Sequence, residues 1–95
     1  MTFDFKDKVV LITGAAAGLG YACAEAFAAA GAKLVITDIS QEALDQAVEK
    51  LQQDGTEVLG LLNDASDSAD VGAMMTALVA LFGRLDIAVN NAGTA

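Results

Sequence analysis

The run Val9-Val10-Leu11-Ile12-Thr13 is apolar until its last residue and rich in β-branched side chains. It lacks the polar alternation of a strand with one wet face, so it predicts a strand buried on both faces, as in a parallel sheet covered by helices. Three more runs of strand length follow at Leu34 to Thr37, Val58 to Leu62 and Ile87 to Val89. The segments between them carry helical spacing. Leu19, Cys23, Ala26, Phe27 and Ala30 predict the apolar stripe of a first helix that stops at Gly31. Leu44, Ala47, Val48 and Leu51 predict a second, N-capped by Ser40, with Glu42 in its first turn and an end near Gly55. Val71, Met74, Met75, Leu78 and Phe82 predict a third, with Ser66 as cap, Asp67 and Asp70 near its positive end, and Gly83 as the stop.

The order β-α-β-α-β-α-β implies right-handed crossovers and a three-layer α/β architecture. The first two helices are expected on one face of the sheet. The third lies on the other if the chain reverses after the third strand and sets the fourth beside the first. The expected strand order is 3-2-1-4, with a switch point between strands 1 and 4, where open α/β sheets bind ligands.

Thirteen Asp and Glu against five Lys and Arg give a net charge of −8, which argues against a nucleic-acid partner. With 55% hydrophobic and 19% charged residues, the 95-residue chain is expected to fold as one domain with one limited core. No apolar run approaches the roughly 20 residues that span a bilayer, and the first residues do not resemble a signal peptide, so a soluble, cytoplasmic protein is expected. The chain has no histidine and a single cysteine, Cys23, leaving nothing for a zinc site of the usual ligands or an internal disulfide. Cys23 falls on a helix stripe with no base beside it and reads as packing, as do Met74 and Met75. The charges at Asp4, Lys6, Asp7 and Lys8 read as a solvated approach to strand 1.

The chemistry-bearing residues cluster after the strands. Strand 1 runs into Gly14-Ala15-Ala16-Ala17-Gly18-Leu19-Gly20. There Gly14 can turn the chain, Gly18 lets backbone approach a pyrophosphate, and Gly20 removes a side chain where helix meets strand. The helix start then offers free N–H groups to phosphates. The spacing is GxxxGxG and is not a P-loop, which requires Lys and Ser or Thr after its last glycine. Asp38 closes strand 2, where a carboxylate can accept hydrogen bonds from an adenosine ribose; an acid opening the next helix ahead of Ser40 is the alternative. Ala17 and Ile39 supply no cation for a 2′-phosphate and Asp38 would repel one, which favours NAD over NADP. After strand 3, Asp64 can meet the exocyclic amine of adenine or, with Ser66, cap a helix. After strand 4, Asn90-Asn91-Ala92-Gly93 is either a plain turn or a set of amides facing the glycine loop.

Taken in this order, the Thr13 to Gly20 motif, Asp38, the Asp64-Ala65 pair and Asn90-Asn91-Ala92-Gly93 resemble the amino-terminal half of the short-chain dehydrogenase/reductase family over essentially the whole chain. The resemblance implies an NAD-binding Rossmann half-domain over residues 1–95, with backbone from Gly14 to Leu19 facing the pyrophosphate and Asp38 on the adenosine ribose. It also implies that Asp64 and Ala65 border adenine, that Asn91, Ala92 and Gly93 line the other ribose, and that Asn90 braces the central strands. Ala15, Ala16 and Ala17 depart from the small polar residues often found in this loop, so only backbone contacts to phosphate are expected.

The family's Tyr-x-x-x-Lys pair and its catalytic Ser and Asn would lie beyond this motif. The only tyrosine, Tyr21, has Glu25 four positions later. The resemblance therefore implies the cofactor-binding portion of an oxidoreductase acting on an alcohol or ketone, with no catalytic residue and no turnover in this chain alone. A stand-alone nucleotide-binding or sensor module is the alternative. Self-association through an exposed strand at residues 86–90 is a further expectation.

Overall fold

The computed structural model describes residues 5–16, 18–62 and 68–90. Its elements are β1 (Val9–Thr13), α1 (Gly18–Ala29), β2 (Lys33–Asp38), α2 (Gln41–Gln53), β3 (Val58–Leu62), α3 (Ser68–Phe82) and β4 (Ile87–Asn90). The strands form one parallel sheet of order β3-β2-β1-β4, as expected. Val10 sits opposite Leu34 on one side and Ile87 on the other, which makes β1 an interior strand.

Strand periodicity divides the core between the two faces. Val10, Ile12, Leu34 and Ile36 point to one side, where they bury Ala24 of α1 and Leu44, Ala47 and Leu51 of α2. Val9, Leu11 and Val35 point to the other, where they meet Met74 and Leu78 of α3. All five residues of β1 are buried, as its unbroken apolar run requires.

The second helix follows its sequence pattern closely. The Ser40 hydroxyl accepts the Ala43 N–H at 3.3 Å, and Leu44, Ala47 and Leu51 are buried with Val48 at the margin. α3 buries Met74 and Leu78, with Met75 and Phe82 packed beside them; the proposed cap Ser66 and neighbouring Asp67 lie outside the described residues.

The first helix departs from expectation. Leu19 is 73% exposed and Ala26 is also exposed, whereas Gly20 and Ala24 face the sheet, with Tyr21, Cys23, Phe27 and Ala28 at the margin. The helix is apolar almost all round, so spacing alone does not fix which side turns inward. The smallest residues win because they let α1 approach the strands. Phe5 closes the far end of this helix, stacking edge-on against Phe27 at 5.4 Å between ring centroids and donating its N–H to the Ala30 carbonyl at 2.8 Å.

A second small-residue contact seats α2. A Cβ built at Gly60 of β3 would stand 2.5 Å from Val48 Cγ2 and 3.4 Å from the Leu44 side chain. The glycine weakens the strand locally but allows close helix approach.

Candidate functional site

Of the segments that the sequence marked, the turn out of β1, Asp38 and Asn90 lie at the carboxyl ends of their strands. Gly14 and Gly18 bracket the turn from β1 to α1 with φ of 63° and 60°, the left-handed region that a side chain disfavours. A Cβ at Gly18 would meet nothing within 4 Å, so that position is open on its outer side. Gly20 is buried, consistent with its expected place where helix meets sheet.

The loop is tied to β2 rather than hanging free. The Ala15 N–H donates to the Thr37 carbonyl at 3.0 Å, and the Ala15 side chain is fully buried. The next N–H, that of Ala16, donates to Asp38 Oδ2 at 3.1 Å. The other oxygen, Asp38 Oδ1, accepts the Ser40 N–H at 3.1 Å, the short turn that an Asp makes with the residue two further on. One carboxylate thus joins the β1–α1 loop to the start of α2. The Ser40 contact is the one expected of an acid opening the next helix, and the Ala16 contact is an addition that the sequence did not offer. Among the described residues each oxygen accepts one N–H, whereas a carboxylate offers about four lone-pair sites in all.

Two large apolar residues in these segments are exposed: Ile39, next to Asp38 in sequence, at 74% and Leu19, at the start of α1, at 73%. Behind the loop, a hollow of about 260 Å³ between α1 and α2 is lined by Ala16, Gly18, Tyr21, Gln46, Ala47 and Lys50. The Lys50 ammonium lies 5.9 Å from the centroid of the Tyr21 ring. Burial, with added repulsion from Glu25 and Asp54, pushes the Tyr21 phenol above its ordinary value, which is opposite to what an acid/base tyrosine needs near neutral pH. A larger hollow of about 510 Å³, lined by Glu25, Ala28, Ala29, Leu51, Asp54 and Thr56, lies elsewhere on the α1–α2 seam. Size does not select the site here; the switch point of the strand order, between β1 and β4, does.

On the other side of β1, Asn90 pairs in register with Thr13, and the Thr13 hydroxyl reaches the Val89 carbonyl at 3.5 Å. This puts the Asn90 backbone beside the mouth of the glycine loop. Ala17, Asp64, Ala65, Asn91, Ala92 and Gly93 lie outside the described residues. The roles expected of Ala16, as phosphate-facing backbone, and of Ser40, as helix cap, do not include these N–H contacts with Asp38. The Asp-x-Ser spacing signals the Ser40 contact, whereas nothing local signals that of Ala16, 22 positions away. Among the described residues there is no group of three or more His, Cys, Asp or Glu able to hold a metal ion, and no helix long and apolar enough to cross a membrane.

A helix entered through glycines at the switch point of a parallel sheet is the arrangement by which dinucleotide-binding α/β proteins receive phosphates. Within that class the family is definite: the model of short chain dehydrogenases matches residues 8–95, and the chain belongs to this family. It is 44% identical over 92 residues to the CLA biosynthesis dehydrogenase/reductase of Lactiplantibacillus plantarum, covering 97% of this chain and 32% of that protein. It is 46% identical over 94 residues to levodione reductase of Leifsonia aquatica, covering 97% and 35%. The chain therefore spans about a third of the length of these curated relatives. Among solved structures, it is similar to a short-chain dehydrogenase/reductase from Burkholderia phymatum in complex with NAD, with a TM-score of 0.87 and 40% identity over 92% of this chain and 31% of that one. It is also similar to L-sorbose reductase from Gluconobacter frateurii complexed with NADPH and L-sorbose, with a TM-score of 0.94 and 37% identity over 99% and 36%.

Proposed function

We propose that this chain is the NAD-binding portion of a short-chain oxidoreductase acting on an alcohol or ketone. The observation that carries the reading is the Asp38 carboxylate, held at the end of β2 beside the glycine loop, each oxygen accepting one N–H among the described residues where it has lone pairs for two. A ribose diol supplies two hydroxyl donors of the kind such a group accepts. The N–H groups at the start of α1 and the backbone from Gly14 to Leu19, Ala17 included, would face the pyrophosphate, with Gly20 keeping helix and strand close. Asp64 and Ala65 would border adenine, and Asn91, Ala92 and Gly93 the second ribose. Bound there, the nicotinamide supplies hydride chemistry; the residues of this chain bind and orient it.

NAD is preferred to NADP in this reading. A 2′-phosphate at the ribose would meet the Asp38 charge, and neither Ala17 nor Ile39 supplies a compensating cation. Lys50 lines the hollow behind the loop but is drawn over Tyr21.

The 95-residue chain is expected to bind without turnover, because its one tyrosine has a raised pKa and lacks a lysine four positions on. Calorimetric titration of the chain with NAD and NADP tests the binding reading. Saturable NAD binding with weaker NADP binding is expected, and a folded chain with no affinity for NAD would contradict it. Dehydrogenase activity in the purified chain would overturn the second expectation.

A further inference from the structure

We infer that Asp38 is also a positioning residue, which holds the glycine loop in its phosphate-receiving shape before any nucleotide arrives. The inference rests on the nucleotide-binding reading for its purpose but not for its geometry. Ala15 and Ala16 carry no side-chain hydrogen-bonding group, and small polar residues that might stitch the loop to itself are absent from both positions. Two N–H groups between Gly14 and Gly18 are held from outside the loop: that of Ala15 by the Thr37 carbonyl at 3.0 Å and that of Ala16 by Asp38 Oδ2 at 3.1 Å.

The same carboxylate is fixed by its second oxygen on the Ser40 N–H at 3.1 Å, and Ser40 is anchored as the cap of α2 through Ala43. The rigid reference is therefore α2, whose buried Leu44, Ala47 and Leu51 seat it on the sheet. Order passes from that helix through Ser40 and Asp38 to Ala16. Charge-assisted hydrogen bonds of this type are the stronger kind, so an ionised carboxylate suits the task better than a neutral acceptor. A loop held in advance loses less conformational freedom when phosphate binds. One consequence is that loop order and discrimination against a 2′-phosphate depend on a single side chain.

Amide hydrogen exchange on the 95-residue chain without nucleotide tests the clamp, with the Ile12 and Ile36 amides as references for the fold. Asp38→Ala is expected to speed exchange at Ala16 and Ser40 by about tenfold or more while the references hold. Asp38→Asn retains one acceptor oxygen and is expected to release only one of the two, and it serves as the folded variant if the alanine form is unstable. Unchanged exchange at Ala16 in a folded variant would overturn the clamp. A second comparison separates positioning from ribose contact, using adenosine and ADP as probes. If Asp38 only reads the ribose, its loss weakens both alike, and removing a negative charge even favours ADP. Positioning predicts the opposite, a loss for ADP exceeding that for adenosine several-fold, and an equal or smaller loss for ADP would overturn it. If neither probe binds the unaltered chain, the nucleotide reading fails, together with the loop's phosphate-receiving role, while the exchange result still decides the clamp.

Discussion

The Asp86 carboxylate accepts the Val9 N–H at 2.8 Å, and the Asp86 N–H donates back to the Val9 carbonyl at 3.0 Å. This reciprocal pair fastens the start of β4 to the start of β1, at the opposite end of the sheet from the glycine loop. The hydrogen bond from the Arg84 guanidinium and that from Val9 hold the Asp86 carboxyl below its ordinary value, and the same ion pair raises Arg84.

A folded-state pKa below the unfolded value contributes stability above the unfolded carboxylate range and loses it as pH falls through the lowered value. Asp86→Ala is therefore expected to be less stable than the unaltered chain at neutral pH, with the gap narrowing on acidification below the usual carboxylate range. Urea unfolding midpoints at pH 7 and at successively lower pH check this. A gap independent of pH would sink the assignment to the ionised group.

Gly60 supports a packing prediction. A methyl group there would stand 2.5 Å from Val48 Cγ2, so Gly60→Ala is expected to cost about 1–3 kcal/mol by overpacking. Combining it with Val48→Ala should be less damaging than the sum of the two, because the second change opens the space that the first needs. Thermal melts of the four forms measure this coupling, and simple additivity would contradict the contact.

Cofactor choice should follow the acid at residue 38. Loss of charge-assisted hydrogen bonds costs about 1.5–3 kcal/mol, so Asp38→Ala is expected to weaken NAD binding by about tenfold or more. Asp38→Ser with Ile39→Arg should move preference toward NADP, since it removes the repelling charge and adds a cation beside the ribose. Titration of each variant with both cofactors decides it, and retained NAD preference in the double variant would refute the electrostatic account.

The sheet edge at β4 predicts solution behaviour of the 95-residue chain. β4 pairs with β1 on one side, Ile87 and Val89 are only half-buried, and Ala88 is exposed. Concentration-dependent self-association is expected through this strand, and Ala88→Lys should suppress it, because a charged edge resists strand addition. Light scattering over a dilution series gives the answer. A monodisperse monomer before substitution would rule the edge out.

Much of this architecture is legible in local pattern. β1 announces a two-sided burial that only a covered parallel sheet provides, and α2 carries its cap, its stripe and its stop in plain view. The strand order follows from the element order, and Gly14, Asp38 and Asn90 fall at strand ends because of where they stand in the sequence. These readings succeed because each depends on neighbours within a turn or a strand, or on chain order alone.

Other features depend on which distant groups come close, and there the sequence is silent. The uniformly apolar α1 has no phase of its own, so Gly20 and Ala24 turn inward and Leu19 outward only when the helix meets the sheet. Gly60 is an unexplained weakness in β3 until Val48 arrives above it. Asp38 looks like either a helix-opening acid or a ribose reader, and only the folded chain, by carrying the Ala16 N–H across 22 positions to Asp38 Oδ2, makes it a link between two loops. Local spacing by itself determined the elements, their order and the edge at which the site lies. Tertiary structure decided the inward faces and the partners of the buried N–H groups, because close approach between separate segments is a property of the packed chain.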